Sequence, residues 1–208
     1  ISVTRVQTCA LPIYFVLLAG NGYLQGIHED TESRVMPLHN FILTTEPLGE
    51  RAYALIPKRE AAADSRFVVY YWRLTRDNRL LFGGGETYGT TFPSDIKNFV
   101  RPHMLKIYPQ LADVKIDYAW GGTLAVTMKR LPYLRRLRRG LYTACGYSGQ
   151  GVGTASFAGK LVAEAIAGEA ERFDVFSNLP VPPFPGGRQF RAPTLALAMT
   201  WYALRDRL

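Results

Sequence analysis

The stretch "GYSGQGVGTASFAGKLVAEAIAG", residues 146–168, constrains the fold more than any other part of the 208-residue chain. The run "LYTACGYS" leads into it and reads as a buried strand. Behind it Ala155, Ala158, Val162 and Ala165 form one helical stripe, widened by Leu161 and Ile166. Strand, glycine turn and helix in direct succession make an α/β unit. Gly149 and Gly151 carry no Cβ, so backbone there comes close either to a packed neighbour or to a ligand. Spacing alone leaves both readings open. In either case the helix start offers unpaired N–H groups and about half a positive charge.

The turn is not a P-loop. "GTASFAGKL" holds five residues between its glycines, and Leu161 stands where Ser or Thr should meet magnesium. It also falls short of a dinucleotide fingerprint, because Thr154 occupies the place of the third glycine. Glu171 lies about twenty residues on, where a ribose-binding acid would fall. Only "RFDVF" then remains as a possible second strand, too little for a complete mononucleotide fold.

Elsewhere the patterning changes. "YFVLLAGNGYL" is a continuous apolar run, as in a strand of a parallel sheet. "RVMPLHNFILTTEPL" is β-rich. "SRFVVYYWRLT" and "RLLFGGG" read as a hairpin turning at Arg76-Asp77-Asn78, with "FGGGE" as a strand end and tight turn. "PSDIKNFVRPHMLKIYPQL" has helical spacing, with Ser94 or Asp95 as cap and Pro102 as a break or kink. "VKIDYAWGGTLAVTM" reads as two strands joined around Gly121 and Gly122. "PTLALAMTWYALRDRL" is a closing helix. The switch from continuous apolar runs to alternation and back predicts two units. Residues 14–26 and 136–208 make one, and residues 27–135 make a mainly antiparallel domain inserted between them.

The formal net charge is +8, with Lys129, Arg130, Arg135, Arg136, Arg138 and Arg139 close together. Such a cluster is either a solvated hairpin or a nucleic-acid or membrane footprint. No aromatics interleave it and no nucleic-acid module signature appears, so neither nucleic acid nor membrane is expected as a partner. Cys9 and Cys145 give no disulfide framework and no metal spacing, which points to a reducing, cytoplasmic setting. "LPIYFVLLAG" has the look of a signal-peptide core but is too short to span a bilayer. "VTRVQTCALPI" instead resembles a translated sequencing adapter, which would make residues 1–13 an artefact of assembly.

Taken together, "GYSGQGV", "GKLVAEAIAG" and "RFDVFSNLPVPPFPGGRQFRAP" are similar to the C-terminal part of the FAD-dependent amine and amino-acid oxidases. That is the D-amino-acid oxidase-like superfamily, and within it the gamma-glutamylputrescine-oxidising branch of polyamine catabolism. "NGYL", "RVMP", "TEPL", "RLLFGGGE", "IDYAWGG", "TMKRLP" and "WYALRDRL" extend the likeness from Tyr14 to Leu208. It implies part of a two-domain flavoprotein of mixed α/β and α+β class. A remnant of an FAD-binding α/β domain (14–26 and 136–208) would join a mainly antiparallel substrate domain (27–135), and the dinucleotide fingerprint would lie in a missing N-terminal portion.

By the same resemblance Gly146, Ser148, Gly149, Gln150, Gly151 and Val152 form a wall of the flavin site. The helix end faces the ring edge where negative charge gathers on reduction. Gly20 and Gly22 lie near the cofactor's phosphates or ribose. On the substrate side stand Tyr71, Arg73, Trp120 and Arg130. Trp120 precedes a turn at the flavin face, or is a core aromatic; Arg130 clamps a carboxylate, or makes a surface ion pair. No catalytic residue is assigned, no metal is implied, and His28, His39 and His103 read as surface or packing residues. The implied reaction oxidises an amine or amino acid to an imine, with oxygen as acceptor and hydrogen peroxide as product, and the chain by itself is expected to be inactive. Gln150 replaces a histidine frequent in the family, and the stretch after "TMKRLP" is unusually basic. Two rival readings remain: a basic nucleic-acid-binding module, and a nicotinamide-dependent dehydrogenase, for which the complete fingerprint is lacking.

Overall fold

The computed structural model describes residues 13–66, 68–87 and 91–186, with Phe190, Pro193 and Leu197. The adapter-like run up to Pro12 and most of the expected closing helix lie outside the described residues.

Two sheets organise the molecule. The smaller has strand order β1-β8-β7, from β1 (Val16–Leu18), β7 (Tyr133–Arg138) and β8 (Leu141–Cys145). β1 runs parallel to β8, with Val16 opposite Leu141 and Leu18 opposite Thr143. Segments more than 110 residues apart in the chain thus share one sheet. β7 and β8 form an antiparallel hairpin through Gly140, whose φ is +72°. The helix α4 (Gly151–Ala167) packs Ala158, Leu161, Val162 and Ala165 onto Leu134, Tyr142 and Ala144. It ends where Gly168 takes a left-handed φ of 101° and donates back to the helix, the conformation that favours glycine after a last turn.

The larger sheet has the order β3-β4-β5-β2-β6. Its strands are β2 (Met36–Thr45), β3 (Ala62–Ala63), β4 (Tyr71–Leu74), β5 (Leu80–Thr87) and β6 (Ile116–Val126). Every pairing is antiparallel. Phe41, Leu43, Leu80 and Phe82 point to one face and are fully buried under α3 (Ile96–Ile107), which contributes Val100 and Met104. Two short helices, α1 (Glu29–Arg34) and α2 (Arg51–Leu55), flank β2. A third cluster, including Leu24, Val35, Ala125, Tyr133 and Cys145, joins the two sheets.

Five expectations need correction. "VKIDYAWGGTLAVTM" is not two strands, because β6 is continuous through Gly121 and Gly122. A Cβ on Gly121 would stand 2.5 Å from the Phe41 ring, so that glycine makes room for an aromatic rather than for a turn. Trp120 accordingly lies in mid-strand and precedes no turn. "FGGGE" also lies inside a strand: Gly83 sits beneath the Tyr71 ring, Gly84 beside Tyr70, and Gly85 (φ +81°) is the extra residue of a bulge opposite Phe41. "RFDVF" belongs to a helix, α5 (Glu171–Ser177), because Phe173 and Phe176 bury one face at a spacing of three. Pro102 does not end α3: its exposed position is bracketed by Val100 and Met104, both anchored in the core. Asp95 caps that helix by accepting from the Asn98 N–H at 2.9 Å.

Among the described residues no helix is long and apolar enough to cross a membrane, and no cluster of His, Cys, Asp or Glu could hold a metal ion.

Candidate functional site

The glycine turn between β8 and α4 is held in an uncommon conformation. Gly146 (φ +71°), Ser148 (φ +50°) and Gly149 (φ +92°) all have left-handed backbone. Asn21, also left-handed at φ +46°, accepts from the Gly146 N–H through Oδ1 at 3.2 Å. Asn21 opens a 3-10 turn, Asn21–Tyr23. Ser148 donates its N–H to the Ala125 carbonyl at 2.9 Å, and its Oγ accepts from the Thr127 N–H at 3.2 Å. The turn is therefore stitched to the end of β6 on one side and to the 3-10 turn on the other. The Asn21–Gly146 bond ties the segment of Gly20 and Gly22 to the segment of Gly146, Ser148, Gly149, Gln150, Gly151 and Val152.

The outer side of the turn is bare. A Cβ on Gly149 or Gly153 would meet nothing within 4 Å, and on Gly151 only the Tyr147 side chain at 3.6 Å or more. Val152 is 99% exposed. Gln150 makes no side-chain capping bond. The first N–H groups of α4 thus present a partial positive charge to open ground. Gly22 is different: a Cβ there would stand 2.9 Å from the Leu124 carbonyl oxygen, so glycine is needed for the 3-10 turn to lie on β6.

β6 also carries the second part of the site. The face of the large sheet away from α3 is open. Tyr71, Gly83, Ile42 and Trp120 form one cross-strand row on it. The Tyr71 ring lies over Gly83, where a Cβ would come within 2.0 Å of Cζ, and its hydroxyl donates to Asn40 Oδ1 at 2.6 Å. Burial pushes the Tyr71 phenol up to about 12, with the negative charge of Glu86 adding to it, so the hydroxyl stays a donor at neutral pH. Trp120 remains 43% exposed. Arg73 stands on the same face, one row further out. Arg130 does not join them: it lies in the turn beyond β6, with its N–H bonded to the Thr127 carbonyl.

The other titratable groups have structural duties. His28 caps α1 by accepting from the Thr31 N–H, His39 bonds Thr123 on the covered face, and His103 bonds the Tyr70 hydroxyl at 2.5 Å. Burial pushes the Cys145 thiol up to about 11, which makes it a poor nucleophile. Within the basic cluster Arg135 donates to the Ser177 carbonyl, and the Arg136 guanidinium lies 5.4 Å from the centre of the Tyr142 ring. Asn21 and Asn40 were not among the sequence candidates. The "GNG" run hinted at Asn21, since Asn tolerates left-handed backbone; nothing local marked Asn40.

The bare glycine turn at the start of α4 and the open face of the antiparallel sheet are two surfaces left accessible to ligands. The family model described as "FAD dependent oxidoreductase" matches residues 2–165, and the chain belongs to that family. It is 45% identical to the gamma-glutamylputrescine oxidoreductase of Escherichia coli (strain K12) over 209 residues, covering all of this chain and 49% of that protein. The chain therefore spans about half the length of that curated relative. Among solved structures it resembles iminodiacetate oxidase from Chelativorans sp. BNC1, with a TM-score of 0.60 and 21% identity over 76% of this chain and 44% of that one. It also resembles L-proline dehydrogenase from P. horikoshii, with a TM-score of 0.58 and 24% identity over 74% and 42%. These two likenesses concern the fold. The family is FAD dependent, and the residues present fit such a cofactor: the bare outer side of Gly149, Gly151 and Gly153 leaves the backbone at the start of α4 open to a flat ring.

Proposed function

We propose that the protein to which this chain belongs oxidises the carbon–nitrogen bond of a small amine or amino acid, with FAD held between the start of α4 and the open sheet face. One observation carries this reading: the glycine turn that opens α4 is bonded to Ala125 and Thr127 at the end of β6, the strand whose middle sets Trp120 on the open sheet face. When bound, the cofactor supplies the two-electron acceptor for the C–N bond. Gly149 and Gly151 allow close approach of the ring, and the first N–H groups of α4 favour negative charge on its near edge. Gln150 offers hydrogen bonds without titrating. Gly20 and Gly22, on the 3-10 turn, take the side of the cofactor's phosphates or ribose. Tyr71, its hydroxyl donated to Asn40 Oδ1, presents the free lone pair of that oxygen to the substrate side, and Trp120 covers the substrate's carbon chain and excludes water. In this reading residues 14–26 and 136–208 belong to the FAD-binding domain and residues 27–135 to the substrate domain. Oxygen is the acceptor, hydrogen peroxide forms, and the imine hydrolyses in water to an aldehyde. The name of the E. coli relative points to polyamine-derived amines as the substrate class, and two cysteines without a disulfide framework fit a cytoplasmic setting.

The test is direct. The full-length gene product is purified, its visible spectrum is recorded, and peroxide is measured with a coupled peroxidase while gamma-glutamylputrescine and simple amines are supplied. Flavin absorbance with amine-dependent peroxide is expected. A colourless protein that binds DNA with steep salt dependence would overturn the reading in favour of the basic-module alternative.

A further inference from the structure

Met36, Met104 and Met128 are the methionines among the described residues. Met36 and Met104 are buried, at 2% and 0% exposure, whereas Met128 is 47% exposed. Met128 stands at the corner of the turn that follows β6, where the Arg130 N–H donates to the Thr127 carbonyl at 3.0 Å. Its neighbour Thr127 is buried and holds the glycine turn at two points. The Thr127 N–H donates to Ser148 Oγ at 3.2 Å, and its methyl group lies where a Cβ on Gly146 would come within 2.6 Å. The Thr127 hydroxyl donates in turn to the Leu131 carbonyl at 2.7 Å, so the chain on both sides of Met128 is tied down. An exposed thioether thus stands one residue from the contacts that fix the backbone ahead of α4.

We propose that Met128 is a site of oxidative modification: hydrogen peroxide converts its thioether to the sulfoxide, and the change loosens the glycine turn and the flavin it holds. The second half rests on the flavin-binding, amine-oxidising reading; the first needs only peroxide and access. The thioether sulfur attacks one peroxide oxygen, the O–O bond breaks and an S–O bond forms. The other oxygen leaves as water with both protons, so the sulfur loses two electrons and the peroxide gains two. Access selects the residue, because the thioethers of Met36 and Met104 react only when the core around them opens locally. The product is polar where the reactant was apolar. Met128 is only half-exposed, so its new S–O group must find water, and the side chain swings outward to reach it. Thr127 shares a peptide bond with Met128, moves with it and takes the Ser148 bond out of line. Where peroxide is the product of turnover, the modification is a feedback in which the product weakens the hold on the cofactor.

The flavin-loaded full-length protein is treated with hydrogen peroxide in the absence of amine, then digested and mapped by mass spectrometry, while flavin release after dilution is followed by fluorescence. Met128 is expected to gain one oxygen atom at least about tenfold faster than Met36 or Met104, and flavin release to quicken about threefold as it does. Met128→Leu keeps the apolar volume without the thioether, so it should hold flavin like the wild type and lose the sensitivity to peroxide. Met128→Gln, polar like the sulfoxide, should release flavin faster with no peroxide added. Met128 reacting no faster than the buried methionines overturns the site. Flavin release that quickens equally in the wild type and in Met128→Leu after peroxide overturns its consequence. The two proposals fail separately: the oxidation pattern with added peroxide, but no peroxide from amines, refutes only the oxidase reading. Amine-dependent peroxide with Met128 left unmodified refutes only this one.

Discussion

At the scale of single residues, the site depends on backbone that ordinary side chains resist. Asn21 holds a left-handed φ and accepts from the Gly146 N–H, so it fixes the glycine turn from outside. Asn21→Ala loses the bond and incurs left-handed strain, a combined cost of about 2 kcal/mol. The urea midpoint should fall, and flavin content of the full-length protein should fall with it; an unchanged midpoint would refute the role. Gly151 gives the complementary case. A side chain there meets only ordinary contacts with Tyr147, so Gly151→Val should fold as well as the wild type apart from a modest helix-propensity effect. Lower flavin content at preserved stability would then report a cofactor close to the backbone, and full flavin content would argue against one. His103 offers a pH test. Burial holds it below its ordinary 6.5, with Lys106 and Arg66 adding repulsion. The unfolded chain therefore binds its proton first, so stability is full above 6.5 and falls as pH drops through the window below it. His103→Phe should shrink the loss of stability between about pH 7.5 and about pH 5.5, read from urea midpoints.

At the scale of elements, α4 does two jobs with two ends. Its middle is an ordinary packed helix with Leu161 and Val162 buried against the small sheet. Its start is left bare, and its end is closed by Gly168. Gly159 serves neither end: it is exposed, right-handed and free of neighbours within 4 Å. Gly159→Ala should therefore stabilise the protein by about 0.5–1 kcal/mol, through the helix propensity that glycine forfeits, without changing flavin content. A thermal melt checks it, and a lower midpoint would show that the helix surface here is covered. β5 shows the opposite use of glycine. Its three consecutive glycines are tied to Tyr71, Tyr70 and the bulge, so none can be replaced without moving an aromatic ring or straining the backbone.

At the scale of the whole molecule, the small sheet leaves β1 on its edge with Tyr14, Phe15, Val16 and Leu17 all exposed, an unusual state for an apolar strand in parallel pairing. On the proposed reading, the described residues offer the cofactor the start of α4 with its glycine turn and the 3-10 turn at Asn21, without a dinucleotide fingerprint. The 208-residue chain alone should therefore bind free FAD weakly, and fluorescence quenching should give a dissociation constant above the micromolar range; tighter binding would refute this. The sequence by itself determined much of this molecule. The order strand, glycine turn, helix was readable at residues 141–168, because period and turn chemistry are local properties, and so was the family, because its motifs recur in order along the chain. It did not reveal what the remaining glycines are for. Gly83 and Gly121 read as turns, since a missing Cβ looks the same whether backbone bends or a ring lies across it. "RFDVF" read as a strand because five residues cannot separate a period of two from one of about 3.6. Only the tertiary structure set Tyr71, Asn40, Glu86 and Trp120 on one face. These residues lie on four strands, and their adjacency follows from strand order and register, which are fixed by the burial of Phe41, Leu43 and Phe82 under α3 rather than by anything near them in the chain.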